Sequence, residues 1–174
     1  RPLPDFIKKN GISQVEKGED PPLLTSDVEA PVVEILGLNA AAIGHLNVNP
    51  DIDGGIRTEP LVLAHFNEIY PALSLMIAAK SLNLGVADIK VKLGDSVRLG
   101  NLKIGTDPAM QMNTFFYKDR DGKPAFQVDS FFDVASGKIP LEKYKDKIVL
   151  IGPTAAGIGS IFVTPVSPAM PAVL

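Results

Sequence analysis

Ile148-Val149-Leu150-Ile151-Gly152-Pro153-Thr154-Ala155-Ala156-Gly157-Ile158-Gly159-Ser160 opens a stretch that runs to Leu174 without a charged side chain. About 20 apolar residues are enough to cross a bilayer as a helix, which makes a membrane span the first reading. The punctuation excludes it. Pro153, Pro165, Pro168 and Pro171, together with Gly152, Gly157 and Gly159, would leave backbone groups without partners in lipid. The remaining reading is a buried strand over residues 148–151 that delivers a flexible Gly/Pro loop, residues 152–160, to the edge of a folded α/β layer. That loop is the first candidate for a site.

Working outward, the chain of 174 residues fits one domain, long enough to bury roughly 70% of the surface its unfolded form exposes. A net charge of −3 without a basic stripe excludes nucleic acid as a natural partner and shows no polybasic membrane patch. The absence of cysteine removes thiol nucleophiles, thiolate metal sites and disulfides together. It is compatible with a periplasm or a cytoplasm.

Residues 1–27 are weakly patterned and expected to be the least ordered part, with a short helix over 4–9 and a polar loop holding Pro21-Pro22. Ser26 or Asp27 is placed to cap a helix ending near Leu38, with Val28, Val33, Ile35 and Leu36 on its apolar face. Two apolar runs, 43–48 and 56–66, flank Asn49-Pro50-Asp51-Ile52-Asp53-Gly54-Gly55 and read as a hairpin with a long turn. Pro71 then opens a helix that is apolar nearly all round, central and buried, closed by Gly85. Strands over 89–93, 97–99 and 102–104, with turns at Gly94-Asp95 and Gly100-Asn101, make a small antiparallel meander. Further strands are expected over 112–117 and 126–128, a short helix over 130–135 and a helical turn over 141–144. Helices and strands mix without a βαβ repeat, which predicts an α+β or mixed α/β layer: one domain with a mixed sheet, a buried central helix and a meander.

Several groupings invite chemistry. Asn49, Asp51 and Asp53 ahead of Gly54 offer oxygens at alternate positions, as calcium loops do. The pattern needs a bidentate Glu six residues after the glycine, where Pro60 stands and Glu59 falls one residue early. Gly152-x4-Gly157 resembles a phosphate cradle, but Ile158-Gly159 occupies the Lys-Ser/Thr position. His45 and His65 lie on the two arms of the expected hairpin and would stand nearly opposite, too few ligands for a metal. No serine has a Gly-x-Ser-x-Gly setting. Arg57 on a strand can clamp an anion, although a bridge to Glu59, Asp51 or Asp53 is the plainer expectation.

A resemblance joins these pieces. Gly44-His45-Leu46-Asn47-Val48-Asn49-Pro50-Asp51-Ile52-Asp53-Gly54-Gly55-Ile56-Arg57-Thr58-Glu59-Pro60-Leu61, followed by Tyr70-Pro71-Ala72-Leu73-Ser74-Leu75, resembles the CHASE-type extracellular sensory domains of the second class. The closing blocks agree: Asp133-Val134-Ala135-Ser136-Gly137-Lys138-Ile139-Pro140, Tyr144-Lys145-Asp146-Lys147-Ile148-Val149-Leu150-Ile151-Gly152-Pro153-Thr154-Ala155, and Thr164-Pro165 before Met170-Pro171. The similarity covers about residues 42–171. It departs at Met112-Asn113-Thr114-Phe115-Phe116-Tyr117-Lys118, where such domains often carry an Asn-Tyr-Arg-Gly-like block, and at Ala172 in place of glycine.

The resemblance implies a non-catalytic, periplasmic input module of a bacterial transmembrane receptor, with membrane helices before and after it. Its output would be an adenylate or guanylate cyclase, a histidine or Ser/Thr kinase, or a diguanylate cyclase. It implies no cofactor. A small molecule or periplasmic protein would bias two arrangements of a homodimer. The expected contacts are Asn47, Asp51, Asp53, Arg57 and Tyr70 on one side and Thr154, Gly157, Gly159 and Thr164 on the other. The alternative is a small α/β enzyme or binding domain that uses the Gly152–Gly159 loop for an anionic ligand, and a third reading is a pure assembly domain.

Overall fold

The structure, a computed structural model, describes residues 3–18, 32–121, 125–155 and 157–173. In chain order the elements are α1 (Asp5–Lys8), β1 (Gln14–Glu16), α2 (Glu34–Asn39), β2 (Thr58–Pro60), β3 (Val62–His65), β4 (Glu68–Pro71), α3 (Leu73–Ser81), β5 (Ile89–Lys92), β6 (Ser96–Leu99), β7 (Leu102–Gly105), β8 (Gln111–Asn113), α4 (Phe131–Ala135), β9 (Ile161–Thr164) and β10 (Ser167–Pro171). The fold is α+β. It forms two compact units, one of Arg1–Asn49 with Thr58–Thr114, the other of Pro50–Arg57 with Phe115–Leu174.

The first unit is built on a mixed four-stranded sheet in the order β1-β5-β6-β7, with β1 parallel to β5 and the rest antiparallel. The expected meander is there. Ile89 and Val91 point inward and Lys90 and Lys92 outward, the period-two pattern of a half-buried strand. Gly94 and Gly100 make its turns with φ of 77° and 57°. Strand β1 lies in the segment whose pattern gave no strand. It is short, its pairing is all that makes it one, and Leu3 and Ile12, both before it in the chain, are buried.

Helix α3 lies against this sheet, burying Leu75, Met76 and Ala79 among Leu61, Val62, Ile89, Val91, Val97, Leu99 and Met110. Burying a Leu or Met side chain contributes about 1.5–3 kcal/mol each. The helix starts and stops differently from the sequence expectation. Pro71 is the last residue of β4, paired with Val62, and Ala72 is the N-cap. Asn83, not Gly85, ends the helix: its φ is 58°, its N–H bonds the Lys80 carbonyl at 3.1 Å and the Leu84 N–H bonds the Ala79 carbonyl at 2.8 Å, a Schellman closure.

The expected long hairpin between 43–48 and 56–66 does not form. Residues 58–66 divide instead: β2 pairs with β8, and β3 turns back on β4 through Phe66-Asn67, Phe66 having φ of 53°. Residues 43–48 keep a single bridge, His45 to Ala72. His45 and His65 are therefore not opposed; His65 is paired in register with Glu68. The strand over 112–117 shortens to β8. In α2 only Gly37 is buried, beside the Phe6 ring, whereas Val33, Ile35, Leu36 and Leu38 are exposed. The expected capping residues Ser26 and Asp27 lie outside the described residues.

The second unit holds the β9–β10 hairpin, α4 and a 3₁₀ turn at Leu141–Tyr144. The short helix expected over 130–135 forms as α4; Ser130 is its cap, accepting the Asp133 N–H, and Gly137 follows with φ of 77°. The strand expected at 148–151 is absent. Ile148 is 66% and Ile151 77% exposed, because β9 and β10 pair with each other and no described strand offers these residues a ladder. An apolar run announces a wish for burial; it does not supply the partner. Residues 126–128 likewise form no strand, and Phe126 and Val128 are exposed.

Candidate functional site

The turn Pro50–Arg57 is held by its own polar groups. The Asp51 N–H bonds the Gly55 carbonyl and the Gly54 N–H bonds the Asp51 carbonyl, both at 2.8 Å, with Gly54 at φ of 79°. Asp53 Oδ1 accepts the Gly55 N–H at 3.0 Å. Arg57 closes the loop: Nη1 reaches Asp51 Oδ2 at 2.6 Å and Asp53 Oδ1 at 2.9 Å, while Nη2 reaches Asp53 Oδ2 at 2.7 Å. The planar fork matches the carboxylate in bidentate fashion. The hydrogen bonds from Arg57, then that from Gly55, hold the Asp53 carboxyl well below the usual carboxylate range. Glu59 takes no part; it accepts from Ser74 Oγ at 2.5 Å.

This turn is fastened to β9. Gly55 bridges Val163 in parallel, and the Ile56 N–H donates to the Val163 carbonyl at 2.8 Å. Thr164, next along β9, uses Oγ1 to close the β9–β10 turn, accepting the Ser167 N–H at 3.1 Å and donating to the Ser167 carbonyl at 3.2 Å. The structure therefore brings Asp51, Asp53 and Arg57 together in one turn and ties the backbone of that turn to the strand that carries Thr164.

Thr154, Gly157 and Gly159 lie in the exposed loop between residue 151 and β9. Gly157 has φ of 84° and open space around it, while a side chain at Gly159 would meet the Pro153 carbonyl at 3.0 Å. The loop follows no strand and leads into a strand, so it lacks the helix N-terminus on which a phosphate cradle depends. Asp51 and Asp53, whose spacing resembles that of a calcium loop, are turned onto Arg57. Among the described residues no group of three or more His, Cys, Asp or Glu side chains could hold a metal ion.

Asn47 and Tyr70 belong to the first unit. The Asn47 N–H bonds His45 Nδ1 at 3.3 Å. Burial pushes the His45 pKa down to about 4, so the ring is neutral. With Nδ1 accepting, the proton sits on Nε2, which is buried without a partner among the described residues. Tyr70 packs with Leu3 and Leu63 and donates its hydroxyl to Glu68 Oε2 at 2.5 Å. Burial and that bond raise its pKa.

One feature of the second unit escaped the sequence reading: a cleft of about 360 Å³ lined by Tyr117, Lys118, Asp119, Phe126, Ser167 and Met170, among others. The Tyr117 and Phe126 rings stand edge to face, 5.5 Å apart at 77°. The available signal was one aromatic on each side of the polar run Asp119-Arg120-Asp121.

The sequence profile of the CHASE2 domain matches residues 4–174, across both compact units. The chain belongs to the CHASE2 domain family. CHASE2 domains are extracellular sensory domains, and a sensory role follows at that level. No curated protein and no solved structure matches the chain. In this CHASE2 domain no helix among the described residues is long and apolar enough to cross a membrane. The motifs quoted above have physical reasons within it. Gly44 lies so close to the start of α3 that a side chain there would stand 2.5 Å from the Leu73 amide nitrogen and 2.6 Å from the Ala72 carbonyl carbon. Asn49 and Thr58 both donate to Gln111 Oε1, at 3.3 and 3.0 Å, and Lys138 pairs with Asp133 at 3.1 Å.

Proposed function

We propose that this chain is the signal-input domain of a bacterial transmembrane receptor, held on the periplasmic side and coupled to a cyclase or kinase output. The observation that carries the reading is the CHASE2 match over residues 4–174, which spans both compact units rather than one motif. Asp51, Asp53 and Arg57 satisfy one another, so their part in signalling is to hold a turn whose opening would be felt at β9. The exposed Thr154–Gly159 loop adjoins the same strand in sequence. A small molecule or a periplasmic protein would act by favouring one arrangement of a receptor dimer, and only by its difference in affinity for the two.

The compartment is directly testable because the chain has no cysteine of its own. Single substitutions at exposed positions, Leu46→Cys in the first unit and Ile158→Cys in the second, place a thiol on each surface. In intact cells a membrane-impermeant maleimide is expected to label both in the full-length protein. Labelling only after lysis would overturn the reading.

A further inference from the structure

We infer that the cleft of the second unit is a binding site for a small zwitterion with an apolar side chain, of the amino-acid type. Its volume, about 360 Å³, falls within the range of roughly 300–1,000 Å³ typical of small-molecule sites. Its walls combine the two requirements of such a ligand. Tyr117 and Phe126, edge to face at 5.5 Å, form an apolar corner, and Met170 of β10 adds an adaptable side chain to the lining.

The polar groups are of both signs and uncommitted. Lys118 and Asp119 follow Tyr117 directly in the chain and line the same cleft, yet neither forms an ion pair or hydrogen bond among the described residues. Elsewhere in this unit Asp129 is engaged by Lys143 and Tyr144, and Asp133 by Lys138. Ser167 Oγ accepts the Ala169 N–H at 3.2 Å, which leaves its own hydroxyl proton to donate. A ligand carboxylate finds Lys118 and the Ser167 hydroxyl, a ligand ammonium finds Asp119, and the ligand's apolar group meets the aromatic corner. A plain carboxylic acid would leave Asp119 unanswered and repelled; a plain amine would do the same to Lys118. The sensory reading enters only in making such a ligand the signal. Binding is measured on the chain alone, so its failure would leave the sensory role to another stimulus.

The test is isothermal titration of the full chain with L-phenylalanine, 3-phenylpropionate, which lacks the ammonium, and phenethylamine, which lacks the carboxylate. Lys118 and Asp119 are exposed, so Lys118→Ala and Asp119→Ala are expected to keep the wild-type circular dichroism spectrum. L-Phenylalanine is expected to bind saturably and at least tenfold more tightly than either analogue. Lys118→Ala should weaken it tenfold or more without affecting phenethylamine, and Asp119→Ala should do so without affecting 3-phenylpropionate. Absence of saturable binding by L-phenylalanine, equal binding of all three compounds, or indifference to both substitutions overturns the assignment.

Discussion

Arg57 grips the Asp53 carboxylate with both terminal nitrogens, at 2.9 and 2.7 Å, and reaches Asp51 at 2.6 Å with one of them. The carboxylates that resemble a cation loop in sequence are thereby spent on an internal cation. Asp53 titrates below its ordinary value of 3.8 chiefly because of the Arg57 hydrogen bonds. A carboxyl depressed by folding contributes stability that is present above its unfolded pKa and is lost as pH falls through the folded one. The turn should thus stay closed through the mildly acidic range and open only below about pH 3.8. In Arg57→Gln the Asp53 carboxyl should return toward 3.8, read by carbon NMR of the carboxylate through an acid titration.

His45 predicts a second pH dependence in a different window. Its pKa falls on folding from 6.5 to about 4 through burial alone. The folded state therefore resists the proton. Stability is whole above pH 6.5 and declines as pH drops toward 4, by about 3 kcal/mol in total at about 1.4 kcal/mol per pKa unit. Urea unfolding between pH 7 and pH 4 measures it. His45→Asn, whose Oδ1 stands where Nδ1 accepts the Asn47 N–H, should flatten the slope in that window.

Gly44 predicts a steric effect. A methyl group there would lie within 2.6 Å of backbone atoms of Ala72 and Leu73, which cannot rotate away as a side chain would. Gly44→Ala should force residue 44 and the start of α3 apart and cost about 1–3 kcal/mol, seen as a lower urea midpoint at an unchanged slope.

Asn83 closes α3 in the left-handed region, with φ of 58°. Asn83→Gly should be neutral or slightly stabilising, since glycine carries no Cβ penalty. Asn83→Ala should cost about 1 kcal/mol, measured by the same unfolding.

How much of this was legible depended on where the interactions lie in the sequence. The β5–β7 meander, the short helix α4 and the Arg57 partners Asp51 and Asp53 are local, a few residues apart, and the pattern shows them. Strand β1 is not local. It exists through Val91, which pairs with Val15 across the whole of α2, β2–β4 and α3. The break at Leu61, which splits one apolar run into β2 and β3 with different partners, and the left-handed Phe66, which turns β3 back on β4, are not announced by composition. At 148–151 the apolar pattern is real, but burial needs a neighbour that sequence pattern cannot name. The Tyr117–Phe126 cleft was hidden for a related reason, since its far wall comes from β10, more than forty residues on.

We propose that this domain sets the activity of an output domain, and what decides it is the output of the full-length receptor in membranes, wild type against Arg57→Gln. The melting temperature and the Asp53 titration of each are recorded alongside. Freeing Asp53 is expected to shift second-messenger or phosphoryl output several-fold at a temperature where both proteins are folded. Identical output from a folded variant in which the Asp53 carboxyl has returned to its ordinary range would contradict it.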